Sequence, residues 1–231
     1  MRKLKGFLIG LILSIITAVI IIPIQVKRIN DYYQVKDNSV RYNTSYNKHK
    51  SREILKANFD QNTHLLLGSS ELTVANKREF HPAQMFNYDD FHLMQVGGAY
   101  FQNVIQASTL ASLEPIMQEK KVAIIESLSW FDQNGMRQEA FESRISKEHV
   151  YYTLVNSKLS KETKTKFINR VLELSSKNPS LKSSFERFKK VLVDGEGSAI
   201  DQILIQLELS KYSMNMVQDF YNEQSLIELP S

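Results

Sequence analysis

The 231-residue chain is 42% hydrophobic and 23% charged, the balance of an ordinary globular protein long enough for one large domain or two small ones. Its net charge of +4 is spread over scattered basic residues, which argues against a nucleic-acid partner and suits an anionic membrane or polymer. Cysteine is absent, so disulfides, thiolate metal sites and a thiol nucleophile are excluded.

Phe7 to Ile24 is an uncharged run of 18 residues, which as a helix rises roughly 27 Å, close to one bilayer core. Arg2, Lys3 and Lys5 precede it and favour a cytoplasmic amino terminus with the remainder exported, although Lys27 and Arg28 weigh the other way. A cleaved signal peptide is the competing reading, but the run is longer than a usual signal core and no Ala-x-Ala site follows. Residues 1–26 are therefore expected to be a signal anchor, with Pro23 in its last turn. Residues 27–62, rich in Tyr, Asn, Lys and Ser, are expected to form a juxtamembrane stalk ending in a short helix at Ser51 to Asn58.

The globular part, 63–231, begins with His64-Leu65-Leu66-Leu67-Gly68-Ser69-Ser70-Glu71. A short apolar run of this kind suits a strand buried on both faces of a parallel sheet, with a tight turn off its carboxyl end, where open α/β sheets bind ligands. Ser70 on that turn is the candidate nucleophile, because backbone N–H groups beside a raised hydroxyl can stabilise an oxyanion. Phe91 to Val96 reads as a second strand followed by Gly97-Gly98, Tyr100 to Leu113 as a helix, and Lys121 to Glu126 as a third strand. Strand, glycine turn, helix, strand is the grammar of a parallel α/β sheet with right-handed crossovers. From Arg137 to Glu223 the periodicity is helical, with Asn178-Pro179 a helix start and Asp194-Gly195 a stop. A cap packed on the sheet through Ile200, Leu204 and Leu207 is expected there.

Taken together, the amino-terminal anchor, LLLGSSEL, His81-Pro82-Ala83 and QVGGAYFQN resemble the DltD family of D-alanyl-lipoteichoic acid biosynthesis proteins. The resemblance implies an SGNH-hydrolase-like α/β fold and D-alanine transfer to teichoic acid at the outer face of the membrane. It covers the chain well to about residue 135 and the helical part loosely. On this likeness Ser70 takes the nucleophile's role and Gly97 or Gly98 supplies the oxyanion-hole amide. In the third block, Trp130 and Phe131 match a family Ser-Pro-Gln-Trp-Phe, while Leu128 and Ser129 replace its Pro-Gln. Glu71 and His81 are neighbours of the nucleophile turn. A carboxy-terminal Asp-x-x-His carrying base and orienting carboxylate is expected after the helical region, and the sequence reaches Ser231 without one, so weak or absent catalysis is expected.

Asp89-Asp90-Phe91-His92 has Asp-x-x-His spacing but sits where the second strand enters the sheet, away from its carboxyl end, and His64 has the same difficulty. His49 and His149 lack context. No His/Asp/Glu cluster has metal spacing and no glycine-rich phosphate loop is present, so neither metal nor cofactor is expected. The expected partners are the membrane, the teichoic acid polymer, and a D-alanyl donor or other membrane proteins of the pathway. Two non-enzymatic readings stand beside acyl transfer: a membrane-tethered binding or scaffold protein whose pocket survives without chemistry, and a plain anchor with a helical interaction module.

Overall fold

Three consecutive leucines, Leu65 to Leu67, are buried in the central strand of a parallel sheet, because both faces of that strand are covered: Leu65 and Leu67 pack into the main core and Leu66 packs with Tyr42, Leu72 and Leu93. The computed structural model describes residues 2–32, 38–73, 85, 91–131 and 135–227. Among these, α1 (Arg2–Tyr32) precedes three short helices, α2 (Asn38–Arg41), α3 (Tyr46–Lys50) and α4 (Arg52–Asn58). The sheet comprises β1 (Thr63–Gly68), β2 (His92–Gly97) and β3 (Val122–Ile124) in the order β2-β1-β3, with α5 (Asn103–Leu113) between β2 and β3. Then follow α6 (Gln138–Arg144), α7 (Lys147–Val155), α8 (Lys161–Leu174), α9 (Pro179–Lys189) and α10 (Ala199–Ile227). Every described element after β3 is helical, as the periodicity predicts.

Cap chemistry sets most of these starts. Ser45, Ser51, Ser146 and Ser160 each accept a backbone N–H of the helix they open, and Asn178 does so for α9, whose first residue is Pro179. The helix α9 widens into a π turn, Lys190–Asp194, closed by Gly195 at φ 76°. The main core joins Leu65, Leu67, Met94 and Val96 of the sheet to Phe101 and Ile105 before and in α5, Phe141 of α6, Val150 of α7, Ile168 of α8 and Phe185 and Phe188 of α9.

Three expectations change. Residues 40–58 are not a free stalk: Val40, Tyr42, Ile54 and Leu55 are buried, and Val40 and Ile54 form a second cluster with Val217, Phe220 and Tyr221 of α10. Their apolar side chains are too few and irregularly spaced to show this in the sequence. The helix α1 does not end at residue 26 but runs through Pro23 to Tyr32, and its stretch Leu8–Gln25 has a mean hydropathy of 2.6. It packs beside α10. Finally, Ile200 and Leu204 are 69% and 41% exposed and Leu207 is half-buried; α10 instead buries Ile205 and Leu209, which lie on the adjacent stripe of the helix.

The two sheet edges differ in kind. In β2 the N–H of His92 bonds to Asn62 O on the β1 side, so the backbone groups of Leu93, Gln95 and Gly97 point outward. Side chains from the segment before the sheet take their place opposite: the Leu93 N–H donates to the Tyr42 hydroxyl at 3.2 Å, and the Lys48 ammonium donates to Gln95 O at 2.6 Å. On β3 the bonds to β1 run through Lys121 O and Ile125 N, leaving Val122 and Ile124 facing outward. Ile124 and Ile125, on opposite faces, are 45% and 39% exposed, and the turn beyond carries Leu128 at 92% and Phe131 at 63%. The exposed apolar surface of the sheet lies on this edge strand, while Leu65 to Leu67 are buried.

Candidate active site

All three strands run the same way, and the register pairs Gly68 with Gly97 and Leu67 with Ile124, so their carboxyl ends share one rim of the sheet. Ser70 opens a short 3₁₀ turn, Ser70–Thr73, directly off β1, and its side chain is exposed. The turn is braced from inside. The Ser69 N–H donates to Glu71 Oε1 at 2.5 Å, the Ser69 hydroxyl donates to Gly98 O at 3.2 Å, and the Leu72 N–H donates to Ser69 O at 3.1 Å. Glu71 thus accepts a backbone N–H and holds the Ser70 turn. From α5, the Gln106 amide donates to Gly68 O at 3.4 Å.

Gly97 ends β2 and Gly98 follows it on the same rim, and both lack room for a side chain. A Cβ on Gly97 would stand 2.5 Å from Gly68 O, so the two strand ends could not meet; one on Gly98 would stand 2.7 Å from the Tyr46 ring. The loop beyond them is strained: Tyr100 and Asn103 have φ of 69° and 35°, a region that costs a side-chain-bearing residue ~1–3 kcal/mol. Two arginines hold it. Arg144 stacks 3.7 Å above the Tyr46 ring and donates to Ala99 O at 3.0 Å, while Arg137 donates to the Tyr100 hydroxyl at 2.5 Å. Trp130 lies half-buried on the turn after β3, Leu128–Phe131, at the same end of the sheet.

Ser70, Gly97, Gly98, Glu71 and Trp130 therefore share one end of the sheet. His81, Asp89 and Asp90 lie outside the described residues. His92 and His64 sit at the entrances of β2 and β1, with His64 edge-on to Phe91 at 4.7 Å, as the strand direction requires. Among the described residues there is no group of three or more His, Asp or Glu that could hold a metal ion. Among them, too, no histidine is hydrogen-bonded to Ser70.

Two histidines that lack context in the sequence belong to a buried polar network behind the rim. The His149 Nδ1 faces the Ser112 hydroxyl at 2.6 Å, and its Nε2 faces His49 O at 2.9 Å. Burial lowers the His149 pKa to about 4, so its ring is neutral and donates from Nε2 to the carbonyl. Next to it, Glu148 Oε2 accepts the Arg52 N–H at 2.6 Å and so caps α4 from α7. Burial raises the Glu148 pKa to about 7, against the nearby Ser213 hydroxyl and the Arg52 N–H, which lower it.

A pH dependence follows. Folded Glu148 keeps its proton to about pH 7, whereas unfolded it loses it near the ordinary 4.5, so the folded state binds more protons between those values. Its contribution is full below pH 4.5 and is lost as pH rises through 7. Relative to Glu148→Gln, which keeps the amide-accepting oxygen, the unmutated chain is expected to lose stability, of order 2–3 kcal/mol, across that window. Unfolding midpoints of both chains from pH 4.5 to 8 check this; parallel curves would refute it. Comparison with the variant cancels the opposite trend of His149, whose neutral buried ring costs stability as pH falls from 6.5 through 4.

The family model for the DltD protein matches residues 41–228. The chain belongs to the DltD family. Comparison with curated proteins gives no match. The family relationship gives the chain a role in D-alanylation of teichoic acid, and the family is membrane-associated, with which α1 is compatible. The match begins at Arg41, so α3 and α4 fall inside the family region rather than in a linker.

Proposed function

We propose that this DltD-family chain carries the D-alanyl group on Ser70 during its transfer to teichoic acid, at the outer face of the membrane. The observation that carries the reading is the position of Ser70: exposed on a braced turn at the carboxyl end of the central strand, beside the Gly97-Gly98 backbone. Its hydroxyl oxygen attacks the carbonyl carbon of a D-alanyl ester or thioester. The new serine ester bond forms as the bond to the donor's oxygen or sulfur breaks, and the serine proton passes through a base to that leaving atom. A polymer hydroxyl then attacks the serine ester, gives its proton to the base, and Ser70 regains its own. Backbone N–H groups of the glycine turn stabilise the oxyanion of each tetrahedral intermediate. The basic flank Arg2, Lys3 and Lys5 supports the orientation that puts this rim outside the cytoplasm.

The base comes from a group beyond the described residues, since none of the histidines described here meets Ser70. That observation also favours the second reading, a non-catalytic binding or scaffold protein that keeps the pocket. A serine-directed fluorophosphonate separates them. The full chain in detergent is expected to take one label, on the peptide containing Ser70. Equal labelling of Ser70→Ala, or none of the unmutated chain, would overturn the assignment.

A further inference from the structure

Away from the Ser70 rim, the start of α4 and the ends of α5 and α7 enclose a cavity of ≈ 200 Å³. Ser112 on its wall lies roughly 9 Å further along α5 than Gln106, whose amide reaches Gly68 O, so the cavity is separate from the nucleophile turn. One wall is the Arg52 guanidinium. Arg52 is only 6% exposed; its guanidinium stacks 3.8 Å from the centre of the Tyr152 ring and donates from Nε to Ser112 O at 3.0 Å. Its two terminal nitrogens have no hydrogen-bond acceptor among the described residues. Glu53 Oε1 stays 3.9 Å from Nη1, and Glu148 takes the Arg52 backbone N–H instead. A buried guanidinium in that state carries a desolvation cost that stacking on an aromatic ring offsets only in part. A second wall brings another cation. The Lys158 ammonium donates to Glu114 Oε1 at 2.6 Å, an oxygen that Lys120 also reaches. Around the cavity Arg52, Lys120 and Lys158 thus stand against Glu53 and Glu114, an excess of one positive charge. The walls are fixed in advance, because Asn156 donates to Ala111 O at 2.9 Å and accepts the Lys158 N–H at 2.9 Å, tying the loop after α7 to α5.

From this cavity we infer a binding site for a phosphate ester, distinct from Ser70 and independent of whether Ser70 is the nucleophile. The unpaired Arg52 fork takes two phosphoryl oxygens and the Lys158 ammonium a third, while the carbon of the ester lies on Pro115 and Val155. A planar carboxylate would be satisfied by Arg52 alone; donors on two walls suit a tetrahedral anion. The space, about six waters at ~30 Å³ each, exceeds what a bare oxyanion fills and leaves room for a small alditol. For a membrane-associated chain with a role in D-alanylation of teichoic acid, two sources carry that chemistry: the alditol-phosphate units of the polymer and the glycerophosphate headgroup of a membrane lipid.

The test titrates the full chain, held in a phosphate-free glycoside detergent, with glycerol phosphate and follows the Arg52 Nε–H resonance. Saturable binding that moves this resonance is expected, with inorganic phosphate binding more weakly. Arg52→Lys keeps the charge but loses the planar fork, and Lys158→Ala removes an exposed ammonium without touching the core. Each is expected to weaken binding about tenfold, the effect of losing one charge-assisted hydrogen bond, with the unfolding midpoint of Lys158→Ala little changed. Displacement of the probe by a short glycerol-phosphate oligomer identifies the polymer as the source, and displacement by phosphatidylglycerol carried in the micelle identifies the lipid. No saturable binding up to about 10 mM, an unmoved Arg52 resonance, inorganic phosphate binding as tightly as the ester, displacement by neither source, or unchanged affinity in Lys158→Ala would overturn the inference. Should Arg52→Lys not fold, Lys158→Ala and the Arg52 resonance decide it.

Discussion

Replacing Lys48 by methionine is expected to destabilise the chain by about 3–5 kcal/mol, because three backbone carbonyls lose their shared donor at once. The Lys48 side chain is fully buried, and its ammonium donates to Arg41 O at 2.7 Å, Asn43 O at 2.8 Å and Gln95 O at 2.6 Å. Burial lowers its pKa from the ordinary lysine value, while three carbonyl acceptors favour the charged form, which alone offers three donors. Methionine fills nearly the same space and has no donor, so the carbonyls of the α2–α3 segment and of β2 lose their partner together. Each buried orphaned acceptor costs about 1–3 kcal/mol. Denaturant unfolding of the two chains measures the difference; coincident midpoints would show that water reaches those carbonyls and that the outer edge of β2 is not sealed by this side chain.

Lys48 also marks the limit of what the sequence discloses. In the one-dimensional pattern it is one basic residue in a polar, asparagine- and tyrosine-rich stretch, the composition of a linker. Nothing local signals that its ammonium will stand in for a missing neighbour strand on β2, because that depends on where β2 ends up. The same holds for His49, His149 and Glu148, whose roles arise from elements about 100 residues apart meeting behind the rim. By contrast, the three strands and the turn at Ser70 are legible, because Leu65-Leu66-Leu67 followed by Gly-Ser-Ser is a local pattern whose cause is local: burial on both faces, then a tight turn. Boundaries moved by a few residues where loop strain intervened. The helix expected from Tyr100 begins at Asn103, since Tyr100 and Asn103 take up positive φ to bend the chain away from Gly98. The face of α10 was misassigned for another reason. Its apolar residues are spread widely around the helix, so periodicity fixes that it is a helix without fixing which stripe is covered.

The second large effect is chemical. Ser70→Ala is expected to abolish D-alanyl transfer through this chain while shifting its unfolding midpoint by no more than about 0.5 kcal/mol, since the side chain is exposed and the turn is held by Ser69 and Glu71 instead. Removing the nucleophile of an acyl-transfer site lowers turnover by ~10⁴-fold or more, because binding and the oxyanion donors remain but no covalent intermediate can form. The serine ester on Ser70 is the covalent intermediate of this transfer. Mass spectrometry of the chain recovered from cells that D-alanylate teichoic acid reads this state directly. A D-alanyl ester on the peptide containing Ser70, removed by hydroxylamine and absent from Ser70→Ala, is the predicted result; an adduct on another residue, or one that survives in Ser70→Ala, would contradict it.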